Sequence, residues 1–503
     1  MNNRATRQSS ADLLEQRDSL DSTLKPHWVW AIALGSAIGW GAFVLPTDWL
    51  ATAGPLGTAI GLTIGAALMC LIAVSYGILI RTFPVSGGEF AYAFNAFGRN
   101  HAFACGWFLT LGYASIVALN ASAVALLFRR LLPDLVEWVP LWEIAGWQVY
   151  LGEVVVASLA LVAFAVLNTR GTALSGRTQF LMVMAMLVGV ALILVGVLIH
   201  PDGMWANVSP GFPEGVAPTV AILGIVAIAP WAFVGFDNVP QAAEEFDFPP
   251  AKAFALIVFA IVAAAAIYIA MTVATAASQK WEGLVASEPL WGTADGLSNL
   301  FGSVGLLVLG LSVAMGVSTG LNGFYVAASR LLFAMGRARV IPERFAGLNS
   351  HRAPAFAVVF VMAVCLLSPW FGRQALSWIV DMSSIGVTIA YTYTCLAAFK
   401  MLRWSNAPAD PTEPEGSRST VRKVLALLGA LAGVCFLLLL LVPGSPAALK
   451  MPSLIALGVW VALGLVFWVS RRKAVAATSE EEMRTLILGE HTEKSDAVLS
   501  TTA

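Results

Sequence analysis

The chain has 503 residues, 58% hydrophobic and only 12% charged, with a mean hydropathy of +0.79 and a formal net charge of −1. Soluble domains carry about a quarter charged residues, so this composition excludes a string of soluble domains. The near-neutral charge argues against a basic surface for nucleic acid. The five cysteines (Cys70, Cys105, Cys365, Cys395 and Cys435) fall in apolar runs with no CxxC pair, and read as packing residues rather than disulfides or metal ligands.

Residues 1–26 are polar, lack an apolar h-region and read as a cytosolic tail rather than a cleaved signal. A spanning helix needs about 20 apolar residues. That template gives twelve spans, near residues 28–53, 55–80, 102–128, 150–167, 178–199, 218–246, 251–276, 299–335, 354–371, 375–399, 422–442 and 452–470. Residues 401–421 read as a cytosolic loop and residues 471–503 as a mobile cytosolic tail. Lys and Arg set the orientation. With both ends inside, only Arg129, Arg130, Lys280, Arg373 and Lys450 of the 29 basic residues fall outside.

Two spans are not ordinary helices. The first holds Gly35-Ser36-Ala37-Ile38-Gly39-Trp40-Gly41, followed by Pro46; the sixth holds Pro230-Trp231-Ala232-Phe233-Val234-Gly235-Phe236-Asp237. Glycine and proline break helices, and freed backbone at membrane depth is tolerated only where protein or a cavity satisfies it. Breaks at corresponding places in two halves point to a transporter built from inverted repeats, with its site between them. The repeats are then residues 27–199 and 218–400, with residues 422–470 appended. The rival reading is that the glycines merely permit close helix packing, as in Gly57-x-x-x-Gly61-x-x-x-Gly65 of span two.

At these residues the chain resembles the amino acid–polyamine–organocation transporters, which share the leucine-transporter fold. Residues 35–43 look like that family's first-helix motif, and Phe83-Pro-Val-Ser-Gly-Gly-Glu-Phe-Ala-Tyr92 like its loop between spans two and three. Asn168-Thr-Arg-Gly171 resembles the entry to span five; Phe233-Val-Gly-Phe-Asp237 with Ala243-Glu-Glu245 resembles the broken sixth helix. Ser329-Arg-Leu-Leu-Phe-Ala-Met335 with Pro342, and Asp381-Met-Ser-Ser-Ile-Gly386, continue the match in the family's order. The resemblance implies an all-α integral membrane protein with twelve helices, a 5+5 inverted repeat broken in helices one and six, and two C-terminal helices. It implies a multi-pass permease of the plasma membrane that moves amino acids or related organic amines by alternating access. Its alternatives are a sensor that binds without translocating, or an obligate exchanger. Small-molecule substrate and bilayer are the expected partners; no cofactor is expected, and the coupling ion is a proton or sodium.

A helix break exposes N–H groups that suit a carboxylate and C=O groups that suit an ammonium. The resemblance therefore assigns the substrate to Ser36, Ala37, Ile38, Gly39, Trp40 and Gly41 of the first break. From the sixth come Trp231, Ala232, Phe233, Gly235 and Phe236, with Phe324 as a further pocket aromatic; Trp231 and Phe324 could also be packing aromatics. Charges at depth are expensive. Asp237 reads as a proton-responsive gate or as an N-cap of the second half-helix, and Asp381 as an outer gate or a snorkelled structural acid. Asp48 falls in an outer vestibule. Glu244, Glu245 and Asp247 read as a solvated cluster at the cytoplasmic mouth, and Asn120 as an interhelical hydrogen bond.

Two departures from the family pattern bear on mechanism. The span-five place where many relatives carry a lysine falls, by counting, on Met186, which cannot titrate. Ser318 and Thr319 could instead complete a sodium site with first-break carbonyls, or simply pack. Trp40 stands where relatives carry a small residue; its indole predicts a small substrate, or an amine without a carboxylate. Gly316-Val-Ser-Thr-Gly320 fits the G-x-S-x-G pattern of hydrolases, yet it lies within a span, with every histidine outside or at the span edges.

Overall fold

The computed structural model describes residues 19–144, 146–200, 204–289, 291–372, 374–404, 417–445 and 447–489. Of the expected tails and loop, residues 1–18, 405–416 and 490–503 lie outside these. Helix α1 (Pro26–Ile38) stops at Gly39, and the chain resumes as α2 (Gly41–Val44) and α3 (Pro46–Thr82). α3 is two helices joined at Gly54, whose φ of 66° makes a kink before Pro55. That is the boundary the sequence sets between spans one and two. α4 (Gly88–Phe97) and α5 (Arg99–Leu131) follow, then the short α6 (Pro133–Val136).

The next segment holds a small sheet within an otherwise all-α fold. β1 (Pro140–Ile144) and β2 (Trp147–Tyr150) form an antiparallel hairpin in the loop after span three. Arg129 organises it, its guanidinium 4.1 Å from the Trp147 ring and 3.1 Å from Glu137 and Glu153. The sequence shows aromatics there but not the cation that gathers them.

α7 (Leu151–Thr169) and α8 (Thr172–Ile199) lead to the second interrupted segment: α9 (Pro218–Ala227), α10 (Ala229–Ala232) and α11 (Asn238–Gln241). α12 (Ala253–Ser278), α13 (Trp281–Ala286) and α14 (Gly292–Arg337) come next, then α15 (Ala355–Cys365), α16 (Gln374–Trp404), α17 (Ser417–Leu441), α18 (Met451–Ala477) and α19 (Glu480–Leu488). Among the described residues, nine helices are long and apolar enough to cross a membrane. The expected spans outside that set are one and six, which are broken, and nine, which is short.

Helix α8 shows what surrounds the protein. Val183, Met186, Val190, Ile193 and Val197 are buried, while Leu181, Val188, Leu192, Val195 and Leu198 on its other side are exposed. A helix apolar on every face has hydrocarbon, not water, as its outer solvent. Its buried stripe packs on α1 and α14, and α1 also packs on α12. The small residues of span two admit span six closely: a Cβ on Gly61 would sit 2.6 Å from the Ile225 Cβ, and one on Gly65 2.8 Å from the Ala229 Cβ.

The segment after Arg471, expected to be mobile, is folded as far as Gly489. Ser479 caps α19 by accepting the Glu482 amide at 3.0 Å. Met483, Leu486, Ile487 and Leu488 are buried against α4 and α14, and Arg339–Glu482 and Arg484–Asn95 contacts of 2.6 and 2.7 Å fasten the rim. An amphipathic turn with a capping serine finds an apolar face and docks.

Candidate functional site

The two breaks abut. Gly39 has φ 47° and Gly235 φ 131°, both outside the range of ordinary L residues. A Cβ at Gly235 would lie 2.5 Å from the Ala37 amide nitrogen, so only glycine lets the sixth span's break rest against the first. Tyr268 of α12 pins both: its hydroxyl hydrogen-bonds the Ala37 carbonyl and, at 2.7 Å, the Ala232 carbonyl. One hydroxyl proton serves two carbonyls. Sequence reasoning missed Tyr268, because a tyrosine in an apolar helix carries no local mark of its partners.

A small cavity lies at this junction, lined by Ser36, Ala37, Ile38, Gly39, Trp40 and Gly41 from the first break and by Trp231, Ala232 and Val234 from the sixth. Ile116, Leu119 and Asn120 of α5 and Tyr268 complete it. Ser36 Oγ, Trp40 Nε1 and Asn120 Oδ1 are buried there without a hydrogen-bond partner. The Asn120 amide nitrogen bonds its own helix, at Ile116 O (2.9 Å), rather than a neighbouring one. Phe233, Gly235, Phe236 and Phe324 do not line this cavity. Phe233 packs edge-on to Tyr268, Phe236 stacks on Tyr391 with centroids 5.3 Å apart, and Phe324 lies 5.7 Å from Tyr113.

Trp40 and Trp231 also form the floor of a much larger vestibule of about 670 Å³. Asp48, Asp381, Arg129, Arg130 and Lys450 line its walls. Asp381 accepts a 2.6 Å hydrogen bond from Ser453 of α18, and Arg130 pairs with Asp295 at 2.6 Å. By contrast the cavity at the breaks holds about 20 Å³, space for about one water. The indoles must part for a ligand to enter.

Asp237 is fully buried behind the sixth break. Its Oδ1 accepts the Gly235 amide at 2.7 Å and its Oδ2 the Tyr113 hydroxyl at 3.0 Å. It makes no side-chain cap to α11, so its carboxylate braces the break rather than starting the next helix. On the far side of the first break, Thr319 Oγ1 donates within 3.0 Å of Gly35 O and 2.8 Å of Gly316 O. Gln179 of α8 reaches Ala31 O and Thr319 O at 3.2 and 3.1 Å. Of the first-break carbonyls, Gly35 O thus already accepts from Thr319. The polar side chain that span five sends to this region is Gln179; a Cβ on Gly35 would lie 2.8 Å from its amide nitrogen.

Below the site, the expected solvated acidic cluster is instead a buried seal. Glu245 and Arg330 of α14 pair at 2.9 Å with 1% of either side chain exposed, and Thr172 bonds both. Glu244 takes a two-pronged contact from Arg337 at 3.0 and 2.9 Å and accepts the Ser86 amide at 3.2 Å. The chain before α1 closes over them: Thr23 and Leu24 amides donate to Glu245 O at 3.0 and 2.8 Å, and the Asp247 amide to Leu24 O at 2.9 Å. Asp247 alone keeps an exposed side chain. The pairing joins residues 85 positions apart, which no local pattern reveals.

An all-α membrane protein with two interrupted helices meeting at a cavity, open above and sealed below, is built as a transporter of small molecules. The amino acid permease family matches residues 28–468, and the chain belongs to it. Its relatives include a methylthioribose transporter of Bacillus subtilis, 23% identical over 460 residues and covering 90% of this chain and 94% of the relative. A branched-chain amino acid permease of Lactococcus lactis is 24% identical, covering 74% of this chain and 80% of the relative. A lysine-specific permease of Escherichia coli is 23% identical, covering 76% and 78%. The protein is accordingly a secondary transporter of amino acids, not an enzyme.

Proposed function

We propose that the substrate is a small amino acid or a small organic amine, bound between the breaks of spans one and six beneath Trp40 and Trp231. It is carried across the plasma membrane by alternating access, with both chain ends cytoplasmic. One observation carries this reading: Ser36 Oγ, Trp40 Nε1 and Asn120 Oδ1 are buried and unpaired, and all three residues line the same cavity. Buried polar groups without partners are costly, and a ligand that supplies both donors and acceptors relieves that cost. The relatives' names run from a thio-sugar to lysine, so cavity size is the better guide, and Trp40 narrows it. The distribution of Lys and Arg supports the orientation.

The test is flux in proteoliposomes across glycine, alanine, serine, leucine, lysine, ethanolamine and putrescine, before and after Trp40→Ser. Each pocket methylene is worth about 1–3 kcal/mol. Removing the indole should therefore raise transport of leucine relative to glycine by about tenfold or more. An unchanged order of preference would remove Trp40 from the selectivity of the site.

A further inference from the structure

Glu89 is a second buried acid that the transport site does not use. It stands in the first turn of α4, between spans two and three, and is fully buried. Its Oε1 accepts the Tyr76 hydroxyl at 2.8 Å and its Oε2 accepts the amide of Gln241. That same amide nitrogen lies 3.5 Å from the Tyr113 hydroxyl, which donates to Asp237. Glu89 and Asp237 are thus the two ends of one buried polar chain, and Gln241 and Asp237 both ride on the inner half of span six.

The titratable groups facing the pair are the phenols Tyr76 of α3, Tyr92 of α4, Tyr113 of α5 and Tyr391 of α16 and the Cys105 thiol of α5, none of them a carboxylate or a cation. The buried guanidinium groups at this end, Arg330 and Arg337, are engaged by Glu245 and Glu244. Two carboxylates in a low dielectric, facing no cation, resist ionising together. Burial, and after it the Asp237 charge, push the Glu89 carboxyl well above the usual carboxylate range. Gln241 supplies an independent sign. Its Oε1 is buried with no partner, although its Nε2 is bonded. A carbonyl oxygen waiting beside a carboxylate is what a protonated Glu89 would need: the amide turns over, and Oε1 accepts the new O–H.

We propose that Glu89 and Asp237 hold one exchangeable proton between them, and that this proton is coupled to substrate movement. The proposal rests on the transporter reading above. Ionised Glu89 holds Gln241 by a charge-assisted N–H bond; a proton on Glu89 turns the amide and replaces it with a neutral O–H···O=C bond, weakening the hold of α4 on span six. Protonation therefore acts on the element that must move for the inner side to open. No other ion or redox partner is needed: the proton enters from one aqueous face and leaves to the other.

The experiment uses full-length protein in proteoliposomes and the panel compound with the strongest counterflow. With the membrane potential clamped, a one-unit pH gradient, inside alkaline, supports about tenfold accumulation for one proton per substrate. Wild type should reach this. Glu89→Gln, which fixes the neutral form, should abolish gradient-driven accumulation while counterflow persists. Wild-type protein in weakly buffered detergent should also take up about one proton per substrate bound, a readout that needs no variant. Normal counterflow with no response to the pH gradient, accumulation driven by a sodium gradient instead, or an undiminished response in Glu89→Gln would each overturn the proposal. If no panel compound exchanged at all, the transporter reading itself would fail.

Discussion

The two faces of the site handle charge in opposite ways. Above the breaks, Asp48, Asp381, Arg129, Arg130 and Lys450 line a vestibule of about 670 Å³, where their charges remain near water. Below them, Arg330 and Glu245 pair with 1% of either side chain exposed, and Thr172 bonds both. Exposed ion pairs contribute little. A buried pair is costly to desolvate and more costly to leave half-broken. The upper charges therefore suit attraction of a polar ligand. The lower ones suit a seal that is firm when complete and rewetted when span six moves away. A gate made this way has two favourable states and few between them.

The largest effect should come from breaking the seal on one side only. Arg330→Met leaves Glu245 buried without its cation and should destabilise the fold by about 3–5 kcal/mol in detergent unfolding. Adding Glu245→Leu removes the stranded charge and should restore most of that loss. A single variant as stable as wild type would mean that water already reaches the pair, and the contrast between the faces would collapse. A smaller effect should follow Tyr268→Phe. That change strips the one hydroxyl proton that the Ala37 and Ala232 carbonyls share, a loss of about 1–3 kcal/mol. The unfolding midpoint should fall and the breaks should loosen toward either face. An unchanged midpoint would show that another donor takes over.

Much of this was legible in the sequence because helix existence and interruption are local. Apolar length set the boundary between spans one and two at Gly54, and Gly39 and Gly235 lie at the breaks because they adopt φ values that other residues resist. Ser36, Gly39, Trp40 and Trp231 of the cavity wall were assigned through the family resemblance of the two breaks. Partners across the fold were not legible. Glu245 reads as solvated until Arg330 is brought to it, and Tyr268 is one aromatic among many until two carbonyls turn toward its hydroxyl. Phe236 looks like a pocket aromatic, yet its ring turns to Tyr391. The docked α19 did leave a signal, in Ser479 three residues before Glu482 and the apolar spacing of Met483, Leu486 and Ile487. The polar composition around it masked that pattern.

Alternating access between these unlike faces is the central claim, and paired distances test it most directly. Spin labels at Thr52 and Leu132 report the outer face, and labels at Asp247 and Glu343 the inner one; all four positions are exposed. On adding a transported substrate, the outer distance should shorten in a fraction of molecules while the inner distance lengthens in the same fraction. Substrate that is transported while both distances stay fixed, or while both lengthen together, would contradict the account.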